Sequence, residues 1–288
     1  WSMNTPLLGD YSAPTAAAFR EWLRAKYRTD AALRRAWHNP AVTLATAAIP
    51  SADDRRGGRP PDPSSGFDAV PRTATFRDPL REVPVIDFQD FWSDIMADTI
   101  ADFAGAVKAA THRRQVVGAF SAYTIEFTDL GEDAGHLAVD KLERCPDIDF
   151  LMAPSSYFNR NLPGQPYFRA PMQSLARHGK LFWNDFDQVS YKYYEKLKDD
   201  PNLKNWEWTM GLTRTPEQFV WMCRREIGMT LAQGVQTAYF DIHGGYYDDP
   251  EIMAGVKRLG EIRRDILARP NRGSSAQILL LMDEPSEH

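Results

Sequence analysis

Two carboxylates, Asp185 and Asp187, follow a short apolar stretch in the segment HGKLFWNDFDQVSY, residues 178–191. Like charges this close repel one another. The repulsion raises the pKa of at least one carboxyl unless Arg or Lys lies nearby. Because a structural cap rarely needs both carboxylates, the pair predicts a functional site, and Trp183 and Asn184 stand directly beside it.

Polar and aromatic side chains also follow the other predicted strands. Aromatic rings can stack on the apolar face of a pyranose, and carboxylates can accept the protons of its hydroxyl groups. The carboxyl ends of parallel strands form the usual site of α/β folds, so this mixture suits a carbohydrate. The candidates are Tyr123 and Glu126 after the first strand, Tyr157 and Arg160 after the second, and Asp241 and His243 after the fourth.

Alternative interpretations stay open for these residues. Taken singly, each is more often a loop cap or a hydrogen-bond partner than a catalyst. The segment FDIHGG, with Asp241 and His243, also fits a turn held by the aspartate side chain. A metal site built from His178 and the two aspartates, or from Asp241 and His243, is a weaker alternative without a known ligand spacing.

No cofactor is expected. No Gly-rich phosphate loop follows any predicted strand, and neither the HExxH spacing of a zinc hydrolase nor the GxSxG turn of a serine hydrolase is present. A nucleotide-binding fold is therefore disfavoured.

The elements that would position the candidates alternate between strand and helix. Near-continuous apolar strands of this kind predict a parallel, helix-covered sheet and an α/β fold class. Before this series, the sequence predicts helices over YSAPTAAAFREWLRAKY and DAALRRAWHN, a long Pro- and Gly-rich loop at about 50–75, and a long helix over DFQDFWSDIMADTIADFAGAVKAAT. The strands are predicted in QVVGAFSAY, IDFLMAP, KLFW, VQTAYFDI and AQILLLMD.

Composition excludes some classes of partner. The chain has 288 residues, a formal net charge of −5 and two cysteines, Cys145 and Cys223, without ligand or disulfide spacing. This charge favours neither nucleic acid nor an anionic membrane surface, and no apolar run reaches the ~20 residues of a spanning helix. A carbohydrate remains the expected ligand.

Four segments in the same order resemble β-galactosidase-like glycoside hydrolases. These segments are DYSAPTAAAFREWLRAKYRTDAALRRAW, CPDIDFLMAPSSYFNR, HGKLFWNDFD and YFDIHGGYYDDPEIM. The resemblance is to retaining enzymes with a parallel (β/α)8 barrel, related to glycoside hydrolase family forty-two. It covers nearly the whole chain and is weakest in the 51–72 loop.

The resemblance implies that residues 1–270 form the carboxyl-terminal part of such a barrel, strands five to eight. It implies that 274–288 begin a flavodoxin-like domain, and that the acid/base Glu lies upstream of Trp1. Asp185 takes the nucleophile position, where the relatives carry Glu, and Asp187 follows it as a substrate-binding residue. The remaining substrate-binding candidates are Trp183, Asn184, Tyr157, Arg160, Tyr123, Glu126, Asp241 and His243.

Two functions follow as expectations. The first is a retaining hydrolase of β-galactosides or related β-glycosides. The second is a catalytically inactive sugar-binding protein, because Asp185 is one methylene shorter than the Glu of the relatives. An incomplete barrel would leave open sheet edges and an uncovered apolar face, which predicts a homo-oligomer or association with the missing barrel half.

Overall fold

The computed structural model describes residues 10–55, 77–121, 124, 135–157, 159–201, 211–241, 244–270, 273, 276–278 and 280–281. The chain divides into two compact units. The first comprises Trp1–Gln115, Ala122–Asp147 and Met282–His288, and the second comprises Val116–Ser121 and Ile148–Leu281.

The described part of the first unit is helical. Its helices are α1 (Ala13–Tyr27), α2 (Asp30–Ala36), α3 (Ala52–Arg55), α4 (Val83–Ala110) and α5 (Val139–Arg144). Ser12 and Thr29 cap α1 and α2, since each side chain accepts a backbone N–H three residues further on. The apolar faces of these helices meet in a core that includes Phe19, Leu23 and Phe88.

A buried aspartate joins these helices. Asp87 of α4 is 1% exposed and accepts hydrogen bonds from Lys26 Nζ at 2.8 Å, Tyr27 Oη at 2.8 Å and Trp37 Nε1 at 2.6 Å. Lys26 and Tyr27 belong to α1, and Trp37 follows α2. One carboxylate therefore accepts from the Tyr27 hydroxyl and the Trp37 indole N–H, and it shares the Lys26 ammonium with Asp90.

The second unit contains a parallel sheet, as the sequence predicts. The strands β1 (Gly118–Phe120), β2 (Phe150–Pro154), β3 (Leu181–Phe186) and β4 (Gln236–Tyr239) pair in chain order. Its helices are α6 (Met172–Arg177), α7 (Tyr191–Leu197), α8 (Pro216–Gln233) and α9 (Pro250–Leu267). The alternation of strands and helices in α/β order is thereby confirmed for the described residues, whereas closure into a barrel is not shown.

Side chains of β3 alternate between the two faces of the sheet. Phe186 packs on Phe219 of α8, with ring centroids 5.8 Å apart, so its face is covered by helices. Trp183 stacks on Phe150 of β2 at 4.3 Å on the opposite face, which we call the open face. Asp185 alternates onto the open face with Trp183, and Asn184 alternates onto the helix-covered face with Phe186.

Helix α8 is capped at both ends. Thr215 caps the helix by accepting the backbone N–H of Gln218, and Gly234 ends the helix at φ 69°. Gln218 Oε1 in turn accepts the backbone N–H of Arg214, one residue before the cap. These signals fix both ends of the helix that covers β3.

Two strands predicted from the sequence differ from the structure in the described residues. The strand predicted over KLFW continues three residues further, to Phe186, because Asn184 and Asp185 pair with both neighbouring strands. In the predicted AQILLLMD strand, positions 276–278, 280 and 281 carry no strand, and the rest lies outside the described residues, as do residues 56–75 of the predicted long loop. Among the helices described, none combines the length and hydropathy of a membrane-crossing segment.

Candidate functional site

The candidate site lies where β2 and β3 end side by side. Pro154 of β2 pairs with Asp185 of β3, so the loop after β2 and the residues after β3 start at the same level of the sheet. Asp185 lies in β3, Asp187 directly follows that strand, and Tyr157 and Arg160 come from the loop after β2. The structure therefore brings together four of the residues predicted from the sequence.

Asp187 forms an ion pair with a fully buried arginine. Arg160 Nη2 lies 2.7 Å from Asp187 Oδ1, and the Arg160 side chain is 0% exposed. Arg160 also donates from Nε to Ser156 O and from Nη2 to Ser155 O, both at 2.8 Å. These backbone bonds hold the guanidinium in one orientation, so the position of Asp187 is fixed from the end of β2.

Tyr157 lies between two cations. Its ring is 4.1 Å from the Arg160 guanidinium carbon and 3.9 Å from that of Arg169, which is fully buried. The phenol oxygen is 3.4 Å from Asp187 Oδ2, at the long limit of a hydrogen bond. Burial, then the Asp187 charge, raises the pKa of Tyr157 to about 12, with both arginines opposing the rise, so the phenol remains a proton donor at neutral pH.

Asp185 has a different environment from Asp187. It is 3% exposed, and among the described residues its Oδ1 has no hydrogen-bond partner. Burial and, second, the Asp187 charge raise the pKa of the Asp185 carboxyl to about 7, while Arg160 opposes the rise. Asp185 can therefore hold or release a proton near neutral pH, whereas Asp187 forms an ion pair with Arg160.

Trp183 differs from its predicted role. Part of its ring surface is already covered by the stack on Phe150, at an interplanar angle of 18°. The covered face is not available to stack on a sugar. Its Nε1 is buried and, within the described part of the chain, has no acceptor. The indole N–H is thus a candidate donor on the face that carries Asp185.

Asn184 does not join the aspartates. Its side chain points to α8, where Nδ2 donates to Glu226 Oε2 at 3.2 Å. The prediction of a substrate-binding Asn184 assumed that the strand ended at Trp183. Because the strand continues, alternation places Asn184 on the opposite face.

Asp241 acts as a loop cap. Its Oδ2 accepts the backbone N–H of Tyr246 at 3.0 Å and that of Tyr247 at 3.4 Å. The turn interpretation of FDIHGG therefore describes this carboxylate, and only Oδ1 is left without a described hydrogen-bond partner. Three further predicted residues, Tyr123, Glu126 and His243, lie outside the described residues.

Sequence reasoning missed three buried polar residues here: Arg169, Gln188 and Glu226. All three are at most 1% exposed. A signal for Glu226 exists, because it lies seven residues after Phe219 and three after Cys223 on the apolar face of α8. A carboxylate in such a stripe indicates a buried polar partner.

Comparison with protein families and with curated proteins finds no match to this sequence. Among solved structures, the chain is similar to an exo-beta-agarase, with a TM-score of 0.52 and 14% identity over 92% of this chain. A second agarase matches with a TM-score of 0.48 and 13% identity, also over 92% of this chain. The chain spans about a third of each agarase, 32% and 33%. The likeness to the exo-beta-agarase is one of fold, and none of these comparisons points to glycoside hydrolase family forty-two in particular.

Proposed function

We propose that the protein is a retaining glycoside hydrolase that acts on β-galactosides or related β-glycosides, with Asp185 as the nucleophile. The observation that carries the proposal is the unequal carboxyl pair at the end of β3. Asp187 is held by Arg160 at 2.7 Å, and Asp185 is buried without a described partner for Oδ1. The fold shared with an exo-beta-agarase supports this class of function.

The chemistry assigns a role to each carboxyl. Ionised Asp185 attacks the anomeric carbon and forms a glycosyl–enzyme ester, while the bond to the leaving-group oxygen breaks and that oxygen takes a proton from a general acid. Water then hydrolyses the ester and restores the Asp185 carboxylate. Asp187, paired with Arg160, binds a sugar hydroxyl or orients its neighbour.

A sugar-binding protein without activity is the second candidate. The specific observation in its favour is the short, buried side chain of Asp185, whose pKa of about 7 leaves much of it protonated at neutral pH. A neutral carboxyl donates a hydrogen bond to a sugar hydroxyl but does not attack carbon. Retaining enzymes hold their two carboxyls about 5–5.5 Å apart, so a side chain one methylene shorter matters.

Covalent trapping tests the proposal. The protein is incubated with a 2-fluoro galactoside that carries a very good leaving group, and its intact mass is followed over time. Such a leaving group needs little acid assistance. We expect a mass gain of one fluorosugar per chain in the parent protein and in Asp199→Asn, a control in the exposed turn after α7, and none in Asp185→Asn. A folded parent protein that stays unlabelled while binding the sugar reversibly would favour the second candidate.

A further inference from the structure

A buried polar cluster joins α8 to the strand that carries the candidate nucleophile. It consists of Asn184, Gln188, Arg225 and Glu226, and we call it the α8 clamp. Asn184 and Glu226 are 0% exposed and Gln188 is 1% exposed. Burying a carboxylate under a sheet costs free energy that an apolar side chain would avoid, so the cluster calls for a reason beyond packing.

Glu226 contacts residues on both sides of the carboxyl pair, one in β3 and one after it. Its Oε2 accepts from Asn184 Nδ2 at 3.2 Å, and its Oε1 accepts from Gln188 Nε2 at 3.0 Å. Asn184 directly precedes Asp185, and Gln188 directly follows Asp187. One carboxylate therefore fixes the two ends of the short segment that carries both aspartates.

Arg225 extends the clamp to the other half of the site. Its Nη2 donates to Gln188 Oε1 at 3.3 Å and to the backbone oxygen of Arg160 at 2.9 Å, and its Nη1 donates to Gly164 O at 2.7 Å. Arg160 is the residue whose guanidinium holds Asp187. Neighbouring residues of a single helix thus fix the backbone of the loop after β2 and the residues after β3.

The helix that carries the clamp is itself held firmly. It is capped at both ends, and Phe219, Cys223 and Ile227 pack in the buried core on the same side as Glu226. A side chain anchored on such a helix has little freedom to move relative to the sheet. The clamp therefore holds the end of β3 at a fixed distance from α8.

We propose that Glu226 is a positioning residue that sets the placement of Asp185 relative to Asp187 and Arg160, acting through Asn184 and Gln188 with Arg225 as its partner. This inference rests on the proposed function for its catalytic meaning. The placement of the Asp185 carboxyl, however, can be measured without any reaction. Glu226 itself does not contact the substrate, because it lies on the helix-covered face.

The groups around Glu226 define what a substitution changes. Those facing it are Arg225 and Cys223 from α8, Arg160 from the loop after β2 and Tyr239 from β4. Burial raises the pKa of Glu226, and Arg225, Arg160 and the two amide donors oppose the rise. Substitution by Gln keeps the shape of the side chain and one acceptor, whereas substitution by Ala removes both acceptors.

The first experiment compares labelling rates with the 2-fluoro galactoside for Glu226→Ala, Glu226→Gln and a matched control, Glu217→Gln, which changes an exposed Glu of the same helix. We expect Glu226→Ala to label about 10- to 100-fold more slowly, because small misplacements of a nucleophile have effects of this size. Glu226→Gln should recover most of the rate, and Glu217→Gln should match the parent protein. A folded Glu226→Ala protein that labels at the parent rate would overturn the inference.

A double-mutant cycle tests the route of the effect. If Glu226 acts through Gln188, adding Glu226→Ala to Gln188→Ala should slow labelling by much less than it does in the parent protein. Fully additive losses, with both single variants folded, would show that Glu226 acts by another route and would contradict the proposal.

Carbon NMR of the aspartate carboxyls separates this inference from the proposed function. Loosening the clamp should let the carboxyls of Asp185 and Asp187 move apart and let water reach them. The titration midpoint of Asp185 should therefore fall toward the ordinary value in Glu226→Ala and stay unchanged in Glu217→Gln. This result is expected even if the parent protein is never labelled, in which case only the proposed function fails. An unchanged midpoint in folded Glu226→Ala would overturn the positioning role.

Discussion

At the scale of single residues, the proposed reaction depends on the protonation state of Asp185. A nucleophile must be ionised, and burial together with the Asp187 charge raises the pKa of this carboxyl to about 7. Below that pH the group is mostly neutral, and above it mostly charged. The proposed reaction is therefore sensitive to pH in a range where most aspartates are fully ionised.

The rate of labelling by the 2-fluoro galactoside should accordingly rise with pH. We expect an increase of about tenfold between pH 6 and 8, with a midpoint near 7, because the ionised fraction of Asp185 increases over this interval. The measurement is the labelling rate across the range, with folding checked at each pH by circular dichroism. A rate that is constant from pH 5 to 8 would show that the attacking group is not the buried aspartate.

The same carboxyl predicts a pH-dependent change in stability. The folded-state pKa of Asp185 lies above its unfolded value, so between about pH 4 and 7 the folded state binds more protons than the unfolded state. The free energy of unfolding then falls as pH rises through this window, and the loss persists at higher pH.

Replacing Asp185 with Asn removes this loss. We expect the stability of Asp185→Asn relative to the parent protein to increase by about 4 kcal/mol between pH 4 and pH 8, because folding raises the pKa of Asp185 from an ordinary value of 3.8 to about 7. Denaturant unfolding at both pH values measures it. A pH-independent difference between the two proteins would contradict the raised pKa.

At the scale of elements, strand β3 shows what the sequence predicts and what it leaves open. The apolar runs predicted its existence and its parallel neighbours, and the clustering of Asp185, Asp187 and Arg160 followed from the rule that parallel strands end together. The end of the strand was predicted three residues early, at Trp183 rather than Phe186. Because alternation has a period of two, this error placed Asn184 on the wrong face.

Contacts between distant elements were harder to predict. Arg169 reaches the Tyr157 ring, and Glu226 reaches Gln188, across 12 and 38 residues of chain, and no local pattern specifies either pairing. A charged residue in the apolar stripe of a helix signals that a partner exists. It does not identify the partner, because that depends on how the helix packs on the sheet.

The aspartate of helix α4 allows a test of the first unit. Asp87→Ala leaves the hydroxyl of Tyr27 and the indole N–H of Trp37 without their acceptor, so we expect a loss of about 3 kcal/mol in the free energy of unfolding. Thermal or denaturant unfolding measures the loss. The matched control is Asp90→Ala, since Asp90 pairs with the same Lys26 but is 30% exposed, and its loss should stay below about 1 kcal/mol. Equal losses in both variants would contradict the role assigned to Asp87.

At the scale of the whole molecule, the open face of the sheet carries exposed apolar side chains. Phe120 is 38% exposed and Leu181 48% exposed, and the strand register places both on the face that carries Trp183. Within the described residues, β1 and β4 are edge strands with a neighbour on one side only. Exposed apolar surface and unpaired strand edges both favour association with another chain.

We therefore expect the chain, expressed as it stands, to self-associate. Light scattering should give a mass above that of one chain, and Leu181→Lys should lower it, because a charge at this position opposes burial of the open face. Leu80→Lys is the control, since Leu80 is an exposed apolar residue of the first unit. A monodisperse monomer at working concentration would contradict this expectation.

The most direct test of the central claim is to locate the covalent adduct. The protein labelled with the 2-fluoro galactoside is digested, and the modified residue is identified by peptide mass spectrometry. We predict a single fluorosugar ester on Asp185. An adduct on another carboxylate, such as Asp187 or Glu226, or a folded protein that binds the sugar but never forms an ester, would contradict the assignment of Asp185 as the nucleophile of a retaining glycoside hydrolase.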